Sequence, residues 1–252
     1  MRNFLTTLIA MTLLACTYPA SASTIKVDTN RLILVNEPIG KNVAKQIDKM
    51  KEMTAKSKKP IYLYLDSPGG SVTAGLFFIH NMEKAQAQGV KFVCVVDELA
   101  ASMAFQFLAH CDERYAHKTS AMLWHPVRVN IFAASITPIV ARNLFLDLNY
   151  IEKALLPKLL KELKIEKTTF FRHYHAETLH YGLQLHRLTP SFLSLIHGIK
   201  NQTAVDKAIE DKKKKKKKPS FSFFGEIPPI PSDTELQDLK DYEIDYTFRG
   251  AL

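Results

Sequence analysis

Tyr62-Leu63-Tyr64-Leu65-Asp66-Ser67-Pro68-Gly69-Gly70-Ser71-Val72-Thr73-Ala74-Gly75 is the stretch on which the reading of this chain turns. Its aromatic and aliphatic residues, with Ile61 before them, predict a strand over 61–65. Asp66 to Gly70 is a cluster of turn formers, and the pattern from Val72 predicts a helix over 72–87. Two consecutive glycines let the backbone take conformations closed to other residues and leave N–H groups open to a ligand. An N–H facing a pocket there can donate to a developing oxyanion; the same dipeptide can also be a turn and nothing more.

The pattern continues on either side. Strands are predicted over 31–35, 91–96 and 121–124, and helices over 42–55 and 100–110. A long amphipathic helix is predicted over 136–163, with Pro157 as a kink. Strands alternating with helices imply an α/β domain with a largely parallel sheet, in which the turns after strands carry the ligands.

Two more segments carry chemistry. In Ala100-Ala101-Ser102-Met103-Ala104 a serine among small residues stands where a strand gives way to a helix. It can cap the helix, or it can be a nucleophile on a tight turn, with the next N–H and the helix dipole stabilising negative charge. In Met122-Leu123-Trp124-His125-Pro126 a histidine ends a short apolar strand. It can be structural, or it can take the proton of a serine hydroxyl.

Together and in this order, the three segments resemble the ClpP/crotonase superfamily, and within it the proteolytic subunit of the Clp protease. The 62–75 stretch follows that family's strand and glycine turn, with Asp66 where Asn is usual, and the likeness runs from about Arg31 to Leu185. It implies repeated β-β-α units, a mostly parallel sheet and a long helix after the base-bearing strand. It further implies Ser102 as nucleophile, His125 as general base, and the backbone N–H groups of Gly69 and Met103 as oxyanion hole. A homo-oligomeric ring and a peptide or unfolded-protein substrate come with it.

The family pattern breaks at its third member, an aspartate before a helix with a Tyr-Gly-Leu-like segment. Counting back from Tyr181-Gly182-Leu183 puts Phe170 in that place, and no aspartate occurs between Asp147 and Asp206. Glu177, His173, His175 and Thr169 are in the neighbourhood. A third group fixes the imidazole tautomer and stabilises its cation, so its loss bears on activity rather than fold. The expectation is a serine peptidase working through a Ser-His pair. The competing class is a catalytically silent oligomeric scaffold, and an acyl-CoA enzyme of the crotonase kind is weaker.

The ends of the chain read differently. Met1-Arg2-Asn3, an apolar run over 4–15 and Ala20-Ser21-Ala22 follow the layout of a signal peptide ending at residue 22. Leu13-Leu14-Ala15-Cys16 offers an alternative, a lipoprotein anchored through Cys16. Either way the expected location is periplasmic or secreted, where an ATP-driven partner is not expected. The chain has no Gly-x-x-x-x-Gly-Lys-Ser/Thr loop of its own. Cys94 and Cys111 flank a strand-turn-helix that could bring them together, but the expectation is two unpaired, buried cysteines.

With 252 residues, 46% of them hydrophobic, the chain can bury an ordinary core. The net charge of +9 would suggest nucleic acid, but the run from Lys212 to Lys218 supplies seven charges and leaves +2 elsewhere. Nucleic-acid binding by the folded domain, over 23–210, is therefore not expected. From 211 to 252 a lysine-run linker leads into an acidic tail, and Lys212 to Lys218 could touch an anionic membrane surface. No cofactor and no metal are expected: His173 and His175 lack partners at ligand spacing.

Overall fold

The computed structural model describes residues 23–129, 136–189 and 194–214. The leader over 1–22 with Cys16, the lysines beyond 214 and the acidic tail lie outside the described residues. The chain divides after Asp211, and the fold described here is that of the first unit.

In chain order the elements are β1 (Ser23–Ile25), β2 (Leu32–Val35), α1 (Val43–Lys56), β3 (Ile61–Ser67) and α2 (Val72–Ala87). Then come β4 (Phe92–Ala101), α3 (Met103–His110), β5 (Glu113–Ala116), β6 (Ala121–Leu123) and α4 (Pro138–Leu163). The last are α5 (Lys167–His175), β7 (His180–Tyr181), α6 (Gly182–Leu188), β8 (Ser194–Ile199) and α7 (Gln202–Lys214). The sheet order is β1-β8-β5-β4-β3-β2, with every pair along it parallel. β6 runs parallel to the end of β4, and β7 pairs with β6 antiparallel. The architecture is mixed α/β with a mostly parallel sheet, as the sequence led one to expect.

Parallel strands are covered on both faces, and β3 shows how the sequence achieves this. Ile61, Leu63 and Leu65 face the main core beneath α1, α2 and α3, while Tyr64 faces a second cluster with Leu32, Val95, Ile196, Ile199 and Val205. In α1 the buried residues Val43, Ile47, Met50 and Thr54 recur at helical spacing. The chain just beyond β1 is held by Asn201, which accepts from the Val27 N–H at 3.0 Å and donates to its carbonyl at 2.7 Å.

β4 is the element that positions the site. Its first half pairs with β5, from Val93 to Val96, and its second half with β6, from Leu99 to Ala101. Against β3 the register shifts: Leu65 faces Val96, but Ser67 faces Ala100. The extra residues of β4 form a bulge, which bends a strand and sharpens its twist. The buried Ser120 hydroxyl reaches the carbonyls of Val96 and Asp97 there, at 3.0 and 2.6 Å. A helix beginning at Ala100 is thus corrected: Ala100 and Ala101 extend the strand, because the bulge lets β4 leave β5 and pair with β6.

The cysteines are a second correction. Cys94 and Cys111 form a disulfide, Cα to Cα 5.9 Å, rather than standing unpaired. α3 turns back over β4, so the residue after its last turn arrives beside the middle of the strand. α4 starts at Pro138, capped by the Thr137 hydroxyl, and contains Pro157. Its buried residues, Leu155, Leu159 and Leu163, all lie in its second half. In the first half Ile139, Phe145 and Tyr150 are 68, 67 and 76% exposed. Among the described residues no helix is long and apolar enough to cross a membrane.

Candidate active site

The glycine turn lies directly against the start of α3. Gly69 and Gly70 have φ of 93° and 145°, a region that side chains rarely adopt. A Cβ on Gly69 would fall 2.6 Å from the Ala101 carbonyl oxygen and from Ser102 Cβ, and one on Gly70 would fall 2.4 Å from the Ile39 carbonyl oxygen. The turn is pinned by backbone bonds: the Ile39 N–H donates to the Gly69 carbonyl at 2.7 Å, and the Ser71 N–H to the Ile39 carbonyl at 2.8 Å. The Gly69 N–H donates to Ser67 Oγ at 3.2 Å, whereas Gly70 stands on the wall of the adjoining cavity.

Ser102 has φ 56° and ψ −122°, a positive φ that residues with a side chain rarely adopt. Such strain persists only where the surroundings over-determine it. Here the Ser102 N–H donates to the Leu123 carbonyl at 2.8 Å, and its carbonyl accepts from Phe105 and Gln106 at 3.0 and 3.2 Å. Ser102 stands at the N-cap of α3, yet its hydroxyl makes no capping bond. The cap reading of this serine therefore fails, and the hydroxyl is left to the cavity. Met103 opens the helix, where N–H groups have no intrahelical partner.

His125 follows β6. Trp124 beside it is buried, with ring centroids 4.6 Å from His180, 5.2 Å from Phe105 and 6.0 Å from Phe170. His125 Nδ1 lies 2.6 Å from the Pro126 carbonyl oxygen. A carbonyl only accepts, so Nδ1 carries the proton and Nε2 is left as the acceptor, the tautomer a general base needs. Burial holds the His125 pKa below its ordinary value; the Pro126 carbonyl opposes this and the Arg128 charge adds to it. The ring is neutral and able to accept a proton at neutral pH.

Ser102, Met103, His125 and Gly70 line one cavity of about 320 Å³, with Glu152 and Tyr174 across it. Ser102 Oγ and His125 share this cavity without a hydrogen bond between them. In unliganded sites such contacts are often long and tighten with substrate.

The four residues considered as stand-ins for the third group do not reach His125. Phe170, at the expected place, is fully buried between Trp124 and Tyr174. Glu177 pairs with Arg128, and His173 Nδ1 lies 3.3 Å from Thr178 Oγ1. His175 stacks on Phe171, and the Thr169 N–H donates to the Glu166 carboxylate that caps α5. Sequence reasoning missed Glu152. Its Oε1 accepts from the Val127 N–H at 3.1 Å and from the Tyr174 hydroxyl at 2.8 Å. The signal was there: Glu152 lies three residues before Leu155 on the inward stripe that continues through Leu159 and Leu163. Among the described residues no group of three or more His, Cys, Asp or Glu could hold a metal ion.

A bulged parallel strand delivers a serine on a strained turn beside a glycine turn, and the family comparison places the chain that carries them in the ClpP-like superfamily. The Clp protease family model matches residues 20–155, more than half of the chain, and the chain belongs to that family. It is similar to the ATP-dependent Clp protease proteolytic subunit 3 of two Synechococcus strains and of Parasynechococcus marenigrum. Each match is 51% identical over 53 residues, 21% of this chain and 25% of the relative. The matched stretch thus spans a quarter of those curated relatives.

Proposed function

We propose that the chain is a serine peptidase of the cell envelope, with Ser102 as nucleophile and His125 as base. Ser102 Oγ attacks the peptide carbonyl while His125 Nε2 takes its proton. The oxyanion is held by the Met103 N–H and by the glycine turn, through Gly70, which faces the cavity, in place of Gly69. His125 then gives the proton to the leaving amine, and water, deprotonated by the same ring, hydrolyses the acyl-enzyme. The observation that carries the reading is the strained Ser102, its hydroxyl uncapped, on the cavity of a histidine whose Nδ1 is already committed.

The leader pattern supports the envelope location, and so does the Cys94–Cys111 disulfide, since such bonds persist in oxidising compartments. There the enzyme takes small or already unfolded chains without an ATPase. The exposed Ile139, Phe145 and Tyr150 of α4 support assembly with further copies of the chain. Hydrolysis of a mixture of quenched fluorogenic peptides by the full chain, beside its Ser102→Ala variant, tests the reading. Cleavage lost in the variant is expected; equal cleavage by both contradicts it.

One observation favours a second reading, a silent scaffold of the same fold. Phe170 fills the place of the family's acid, and a backbone carbonyl, which is neutral, holds His125 instead. A folded, oligomeric chain with no hydrolysis would select this reading.

A further inference from the structure

The peptide unit joining Pro126 to Val127 is gripped at both ends. Its carbonyl oxygen accepts from His125 Nδ1 at 2.6 Å, and its N–H donates to Glu152 Oε1 at 3.1 Å. The same Glu152 oxygen accepts from the Tyr174 hydroxyl at 2.8 Å. Hydrogen bonds in series polarise one another, so an anion at the N–H end of a peptide makes its carbonyl a stronger acceptor. The ring of His125 is thereby coupled to a carboxylate on α4 through one rigid, planar group.

We propose that Glu152 supplies the acid of this site, acting on His125 at one remove through the Pro126–Val127 peptide. This rests on the reading of Ser102 and His125 as nucleophile and base. Glu152 is a positioning residue: it fixes the ring and its tautomer and favours the imidazolium that forms when Ser102 loses its proton. The proton moves from Ser102 Oγ to His125 Nε2, and none passes to Glu152.

The surroundings fit that role. Among the described residues Glu152 forms no ion pair, so its charge is not cancelled locally. Arg128, the other charged side chain on the cavity wall, is paired with Glu177. The Arg128 charge, from its own loop, bears on His125; Glu152 from α4 and Tyr174 from α5 line the same cavity, while His173 and His180 lie against the neighbouring Trp124. Burial above all, then the bond to Glu152 and its charge, hold the Tyr174 hydroxyl protonated, so it remains a donor to the carboxylate. Phe170, which stands in the chain where the family has its acid, packs on Trp124 and Tyr174 and carries no group that could bond the ring.

The test is a nitrogen-15 NMR titration of His125, paired with the rate of fluorophosphonate labelling across pH. Both are measured on the full chain and on Glu152→Gln and Glu152→Asp. Glutamine keeps an oxygen for Val127 and Tyr174 and removes only the charge. Expected for Glu152→Gln are a His125 midpoint moved to lower pH and labelling slowed about tenfold at neutral pH. The loss falls on the maximal rate rather than on the half-saturating concentration. Glu152→Asp, which restores the charge, recovers part of both. An unchanged midpoint and rate in Glu152→Gln overturn the proposal, as does an Asp variant indistinguishable from the Gln variant. A midpoint that moves in a protein no probe can label refutes the hydrolase reading and leaves the coupling standing.

Discussion

The two walls of the cavity are built on different principles. The nucleophile wall, from the glycine turn to the start of α3, is held by backbone. Gly69 and Gly70 touch Ala101, Ser102 and Ile39 with no room for a Cβ, and Ser102 is bonded through both its N–H and its carbonyl. The base wall is held by side chains from distant parts of the chain. Trp124, just after β6, lies with Phe105, Phe170 and His180, and Glu152 bridges the loop after His125 to Tyr174. Backbone bonds leave little to vary, whereas a cluster of side chains can be repacked, and it is the base wall that departs from the family's usual acid.

The contrast is broken most severely by placing an acid where the family has one. Phe170→Asp removes an aromatic ring from a full stack and buries a carboxylate, at a cost of about 4 kcal/mol. Denaturant unfolding of the variant reads this loss, and labelling falls with it. A stable, more active Phe170→Asp enzyme would show that the base wall still has room for the usual triad.

On the other wall, Gly69→Ala forces a Cβ into a left-handed turn 2.6 Å from a backbone oxygen. The neighbour there cannot swing away as a side chain can. The expected cost is about 3 kcal/mol with loss of labelling, because any relief must move Ala101 and Ser102. Thermal unfolding together with probe labelling would check it; a stable and fully labelled variant would mean that the turn is not what sets Ser102.

The same contrast marks where the sequence could be read. α2 occupies the residues its apolar pattern predicts, and β3 and β6 are at their places, because alternation and helical spacing are local. The serine was legible as a strand-to-helix junction, since small residues, a strand before and a helix after it are neighbours in the chain. The length of β4 was not, because its last residues are strand only by virtue of a bulge against β3 and a new partner in β6. β1 and β8 pair at opposite ends of the described chain, a long-range contact that no local pattern announces. Glu152 was passed over because a lone acid on an amphipathic helix reads as solvated until Val127 and Tyr174 are seen to reach it. The disulfide was missed because a strand and the helix after it fix the Cys94–Cys111 separation only once the turn between them is known.

A smaller effect sharpens the comparison through pH. Burial, with the nearby His173 adding to it, holds the His180 pKa down to about 4, against an ordinary 6.5. Because the folded value lies below the unfolded one, the unfolded chain takes up the proton first as pH falls. The stability is complete above about pH 6.5 and declines as pH drops towards 4. His110, held down chiefly by burial, acts in the same direction. Urea unfolding at a series of pH values should show this slope, reduced in His180→Phe, which keeps a ring on Trp124. An unaltered slope in that variant would remove His180 from the account.

The central claim is that this fold activates Ser102 with a histidine whose tautomer is set by its own loop. It is tested most directly by labelling the purified chain with a fluorophosphonate and locating the adduct by peptide mass spectrometry. A single adduct on Ser102 is expected, absent from Ser102→Ala and reduced at least a hundredfold in His125→Ala. An adduct elsewhere, or labelling of Ser102 that does not depend on His125, would contradict it.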